Sequence, residues 1–126
     1  MDGYTDEFYK LKRWTELRNK TLCRDHYMCQ YYKRLGRMVQ AEVVHHCYPR
    51  DEFPEYRFEP WNLISLSRKA HNRLHDRNTN ELTEEGRQLL VRIGRKNNIF
   101  VPDKYLMPIE DKTAKRYERK HFRYDL

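Results

Sequence analysis

The sequence predicts a small α+β domain in which a two-stranded hairpin packs on a helix, with one further helix before it and one after. Three observations lead there. Residues 8–25 carry apolar side chains at a helical period. Two short β-prone runs, residues 38–46 and 63–66, flank a proline-bearing loop. Ser67 and Thr83 each stand where a hydroxyl can cap a helix.

Taken in order, Leu11, Trp14, Leu17, Arg18, Thr21 and Leu22 share one arc of the first helix, which should pack on the hairpin and leave Lys12, Arg13 and Lys20 in water. Gly36-Arg37 marks a turn, and Val39, Val43 and Val44 give residues 38–46 strand character. Pro49, Pro54 and Pro60 make residues 47–60 a loop, whose Asp51, Glu52, Glu55 and Glu59 could in principle touch a metal but read first as solvated loop residues. Leu63 to Leu66 is the second strand, and Ser67 caps a helix running to about Arg77. Thr83 caps the next helix, with Glu84 and Glu85 in its first turn, Leu89, Leu90 and Ile93 on its stripe, and residues 95–98 ending it. Residues 1–98 then form the domain. Residues 99–126 form a basic, aromatic-rich arm in which Tyr105, Tyr117, Phe122 and Tyr124 interleave with Lys and Arg. That many aromatics favour docking on the domain over a loose tail, although stacking on nucleic acid would use the same residues.

At 126 residues and 38% hydrophobic content the chain is long enough for one domain with a modest core. It contains no apolar run near membrane-spanning length and no signal-peptide pattern, so the expectation is a soluble, cytoplasmic protein with no membrane partner. Cys23, Cys29 and Cys47 make neither a disulfide framework nor a zinc set and read as reduced thiols. The net charge of +7 favours a polyanionic partner, though a solvated basic surface would account for it too. Residues 1–40 hold nine Lys or Arg against five Asp or Glu, whereas residues 41–80 hold six of each. General attraction to DNA would therefore come from the amino-terminal segment and the basic tail.

The chemistry is concentrated in an ordered set: His45 and His46 at the end of a strand, then Asn62, then His71 and His75. A strand sends neighbouring side chains to opposite faces, whereas a helix puts residues four apart on one face. One of the adjacent histidines can therefore bind a metal while the other stays free. His45 with His71 and His75 would make three ligands and leave positions for water and a phosphate oxygen. His26 and His121 stand apart and read as surface residues. Asn62, which follows Pro60-Trp61, would also suit an ordinary turn. Arg68 and Asn72 beside His71 are candidate phosphate contacts, or an exposed helix rim.

The spacings are 16 residues from His46 to Asn62, 9 to His71 and 4 to His75. The motifs Val44-His45-His46, Trp61-Asn62-Leu63-Ile64-Ser65-Leu66 and Ala70-His71-Asn72-Arg73-Leu74-His75 resemble those of the HNH endonucleases over residues 8–77. The doubled histidine and HxxxH ending are similar to the colicin-type branch, and the surroundings to small HNH proteins of tailed bacteriophages. The resemblance implies a ββα-metal, or His-Me finger, core around one divalent ion, whether Zn, Ni, Mn or Mg. It implies that His46 is the general base, that Asn62 holds the loop and orients His46 by an amide hydrogen bond, and that His45, His71 and His75 hold the ion. The activity implied is DNA hydrolysis to a 5′-phosphate and a 3′-hydroxyl. Two other readings stay open: an RNA nuclease, and a non-catalytic DNA-binding or packaging accessory with a phage terminase or portal protein as partner by analogy.

The chain departs from many HNH proteins where two CxxC pairs would bind a structural zinc. At those four positions stand Cys29, Tyr32, Ser67 and Ala70. One thiolate cannot make a tetrahedral structural site, so no structural zinc is expected, and Tyr32, Ala70 and Leu74 should pack together instead.

Overall fold

The computed structural model describes residues 6–107, and it divides the amino-terminal helical stretch in two. A 3-10 turn, Glu7–Lys10, is capped by the Asp6 carboxylate, which accepts from Phe8 N at 2.9 Å. Leu11 is extended, and helix α1 (Lys12–Arg24) begins after it. The single helix expected over residues 8–25 is thus broken at Leu11. The break lets Phe8 turn inward and bury with Trp14 and Leu63, while Leu11 stays exposed. Along α1, Trp14, Thr21 and Leu22 face inward and Lys12, Arg13 and Lys20 face water, as the period requires. A short helix, α2 (Gln30–Arg34), buries Tyr32 and is followed by the turn at Gly36, whose φ of 81° suits glycine.

Strand β1 (Val43–His46) pairs antiparallel with β2 (Leu63–Leu66), Val43 opposite Leu66 and His46 opposite Leu63. Of the strand expected over residues 38–46, only the last four residues join this sheet; upstream, Gln40 bridges Met28 instead. The loop between the strands contains two 3-10 turns, Pro54–Tyr56 and Pro60–Asn62.

Helix α3 (Arg68–Leu74) starts at Ser67, whose hydroxyl accepts from Ala70 N at 3.1 Å. It ends three residues before the expected Arg77. Thr83 takes the carbonyls a longer helix would use: its hydroxyl donates to Arg73 O at 2.6 Å and its amide to Leu74 O at 2.9 Å. Asp76 removes two of the donors as well, its carboxylate accepting from the amides of Asn78 and Thr79. The same Thr83 caps helix α4 (Glu84–Lys96) through Gly86 N, and a last short helix, α5 (Asp103–Leu106), follows.

The hairpin sits on α3 through a buried cluster that includes Cys29, Tyr32, Leu66, Ala70 and Leu74. Tyr32, Ala70 and Leu74 therefore pack together as their positions led us to expect. A second cluster joins Tyr48, just after β1, to Phe53, Leu90 and Tyr105, with Ile99 and Val101 against it. The first residues of the carboxy-terminal arm thus pack on α4. Tyr117, Phe122, Tyr124 and the basic run 112–123 lie outside the described residues. Among the described residues no helix is long and apolar enough to cross a membrane.

Gly94 is the contact point of that second cluster. A Cβ there would collide with the Tyr48 hydroxyl and come within 2.8 Å of Val101. Tyr48 cannot easily give way, because its hydroxyl donates to Phe100 O at 3.0 Å and its ring is fully buried. Gly94→Ala is expected to lower the unfolding free energy by ~1–3 kcal/mol. An unchanged urea midpoint would show that α4 is not seated on Tyr48 in this way.

Candidate metal and catalytic site

Strand alternation turns His45 and His46 to opposite faces of the hairpin, and each meets a different environment. His45 points toward α3 and is 1% exposed. Its ring centroid lies 5.3 Å from that of His71 and 5.1 Å from that of His75, which are themselves 5.0 Å apart. One nitrogen from each of the three lies within 4.8 Å of the others. Among the described residues no other group of His, Cys, Asp or Glu side chains is so placed.

His75 reaches this cluster from an unexpected backbone. It is the extended residue after α3, with φ −127° and ψ 142°, bridged to Leu82, and not a member of the helix. Its Nδ1 lies 3.3 Å from Asn80 O. A carbonyl only accepts, so Nδ1 carries the proton and Nε2 the lone pair.

All three imidazoles are held neutral. Burial pulls His45 well below its ordinary range, and the neighbouring His75, His71 and His46 add to the effect. Burial, then His75 and Arg68, bring His71 down to about 4. Burial also lowers His75, against the Asn80 carbonyl. His45 Nε2 is buried with no hydrogen-bond partner, an orphaned lone pair or N–H of the kind that native interiors seldom tolerate. Three neutral imidazoles around an unsatisfied buried nitrogen fit a divalent transition-metal ion, which takes such ligands at ~2.0–2.1 Å.

His46 turns the other way, against α1 and the 3-10 turn before it. It stacks on Trp14 at 5.0 Å with 21° between the planes and meets Phe8 edge-on at 5.7 Å. Its Nε2 donates to Arg57 O at 3.1 Å, which leaves Nδ1 as the lone-pair nitrogen. Burial lowers its pKa, partly opposed by the Arg57 bond, so the ring is a neutral base at pH 7. Both His45 and His46 line a cleft of about 730 Å³ that His71, His75 and Arg68 also border.

Asn62 requires a correction. It makes no hydrogen bond to His46. Its Oδ1 accepts from Tyr48 N at 2.6 Å, and its Nδ2 donates to Tyr48 O and Tyr56 O, each at 3.2 Å. The amide is fully buried and spent on the loop that the hairpin carries, so Arg57, not Asn62, supplies the bond that orients the base. Asn72 is exposed and does not border the cleft, unlike Arg68. Of the loop acids only Asp51 reaches the cleft; Glu52 is taken up by Tyr105 and Lys104. Sequence reasoning missed Trp14 as the platform under His46, because its place on the apolar stripe already explained it. It missed the carbonyls of Arg57 and Asn80 because backbone groups leave no mark in residue identity.

These shifts set an acid sensitivity. A histidine whose folded pKa is lowered binds a proton more readily when unfolded, so its stabilisation is complete above about 6.5 and drains away as pH falls. For His71 the loss extends down to about 4, and His45, His46 and His75 act in the same direction. The metal-free domain should therefore melt several degrees lower at pH 5 than at pH 7, each kcal/mol being worth ~4–8 °C in a domain of this size. A flat melting temperature over this window in EDTA would contradict the buried neutral cluster.

No protein-family model matches the chain, and no curated protein does. Among solved structures it is similar to the HNH endonuclease of the deep-sea thermophilic bacteriophage GVE2, crystallised with a manganese ion. The identity is 31%, the match covers 53% of this chain and 73% of that one, and the TM-score is 0.53. The hairpin-and-helix core with its histidine cluster is thus a ββα-metal fold.

Proposed function

Because the chain belongs to the HNH endonuclease family, we infer that it hydrolyses phosphodiester bonds in DNA with the help of one divalent metal ion. The observation that carries this reading is the pairing of two sites across one strand: a neutral three-imidazole cluster on one face and an oriented, neutral base on the other, opening on one cleft. His45, His71 and His75 would hold the ion. When bound, the ion neutralises charge on the scissile phosphate and stabilises the leaving oxygen.

The protein's own groups do the rest. His46 Nδ1 accepts a proton from the attacking water, and Arg57 O steadies the resulting imidazolium by accepting its Nε2–H. Trp14 and Phe8 keep the ring from rotating away from that bond. Asn62 fixes the backbone of Tyr48 and Tyr56 on either side of the loop, so that Arg57 O stays in place. Arg68 borders the cleft where it can meet a phosphate oxygen. Manganese, the ion crystallised with the similar GVE2 enzyme, is the first ion to supply, followed by Mg, Ni and Zn.

The test is supercoiled plasmid incubated with each ion, with His46→Ala as the control. Nicked or linear products that need both the ion and His46 support the reading. DNA retained in a gel shift but never cut, whatever the ion, would replace it with a non-catalytic DNA-binding role. Cleavage of RNA alone would change the substrate class.

A further inference from the structure

The cleft carries cations at both ends of β1, with the two histidines between them. At the Glu42 end, Arg18 on α1 donates to Glu42 O at 3.3 Å, and the Arg68 amide donates to the Glu42 carboxylate at 3.2 Å. Both arginines border the cleft, one from each wall, and among the described residues neither guanidinium is paired with a carboxylate. At the His46 end stands Arg50. Its guanidinium lies over Phe8 at 4.4 Å and Tyr9 at 5.3 Å, and Phe8 in turn packs on His46. Arg50 pairs with Asp6 and borders the same cleft, and its Nε is buried with no acceptor, so the guanidinium is not fully spent on that pair.

Glu42 and His46 are four strand steps apart, roughly 13 Å at ~3.3 Å per residue. One phosphate cannot reach both ends, whereas a nucleic-acid strand carries a charge on every nucleotide and so lays neighbouring phosphates along such a length. Resting on the nuclease reading above, we propose that the cleft is a three-phosphate track: Arg18 and Arg68 hold the phosphate on one side of the scissile bond, Arg50 holds the one on the other side. The substrate class is then an internal phosphodiester with a charged neighbour on each side. Chain ends and isolated diesters fill only part of the track. Glu42 ties the two residues to one point of the cleft, its carbonyl accepting from Arg18 and its carboxylate from the Arg68 amide.

The experiment uses the full chain loaded with manganese and a DNA oligonucleotide with one preferred cut. Two further versions carry a neutral methylphosphonate immediately before or immediately after that cut. On the all-phosphate strand, Arg18→Ala, Arg68→Ala and Arg50→Ala are each expected to lower kcat/KM about tenfold, the size of one charge-assisted hydrogen bond. On one methylphosphonate strand the Arg18 and Arg68 losses should vanish while the Arg50 loss persists, and on the other the pattern should reverse. Binding by the His46→Ala background should also lose about one unit of salt dependence per arginine removed. Manganese titration checks that the histidine cluster is intact in each variant, and Arg50→Gln replaces Arg50→Ala if the latter melts early. Losses that ignore the methylphosphonates, or that all couple to the same one, overturn the track while leaving the nuclease reading in place. A wild-type protein that cuts no DNA overturns both.

Discussion

Replacing His46 with alanine is expected to remove at least ~100-fold of kcat, the usual worth of a positioned general base, while leaving manganese affinity nearly unchanged. The separation follows from β1: His46 projects to the face opposite His45 and shares no place in the imidazole cluster. Its neighbours are Trp14, Phe8 and the Arg57 carbonyl, so its loss leaves a gap against α1 and not a hole among the ligands. His46→Gln, which fills part of that gap and has an amide able to reach Arg57, should be equally inactive but closer to wild type in melting temperature. The pH profile gives a second readout. A base must be unprotonated to work, and burial lowers the pKa of His46, so the acid limb of kcat should fall below pH 6.5 and disappear with the substitution. Substantial cleavage by both variants would remove His46 from the mechanism.

Much of this site was legible in the sequence because its signals are local. Ser67 and Thr83 cap the helices they precede, β2 runs over Leu63–Leu66 as its composition indicates, and β1 presents His45 and His46 by plain alternation. What the sequence hid was decided by groups distant along the chain. Helix α3 stops at Leu74 because Thr83, nine residues on, takes its last carbonyls, and His75 joins the cluster from an extended backbone. The first helix breaks at Leu11 because burying Phe8 against Trp14 and Leu63 outweighs one continuous helical run. The resemblance implies two tasks for Asn62, holding the loop and orienting His46; three backbone partners on Tyr48 and Tyr56 occupy its amide in the first and leave the second to Arg57. Helix α2 is five residues long, too short for a period to show.

Removing any one of His45, His71 or His75 is expected to weaken manganese binding by more than the ~10–100-fold that losing a supporting hydrogen bond typically causes. His71→Ala is the cleanest test, because His71 is only partly buried and its loss disturbs packing least. His45→Ala is the most informative, because two opposed terms meet there. Alanine leaves a cavity beside α3, but it also removes a buried nitrogen that has no partner without an ion. The metal-free variant should thus be less destabilised than a buried ring's size suggests. Wild type gains stability from manganese by mass action, and the variant should gain almost none. EDTA should strip the ion from wild type with little change in helical circular dichroism, because Tyr32, Leu66, Ala70 and Leu74 pack the hairpin on α3. Unchanged manganese affinity in His71→Ala would end this assignment. Collapse of the helical signal in EDTA would mean instead that a bound ion, and not packing, carries the fold.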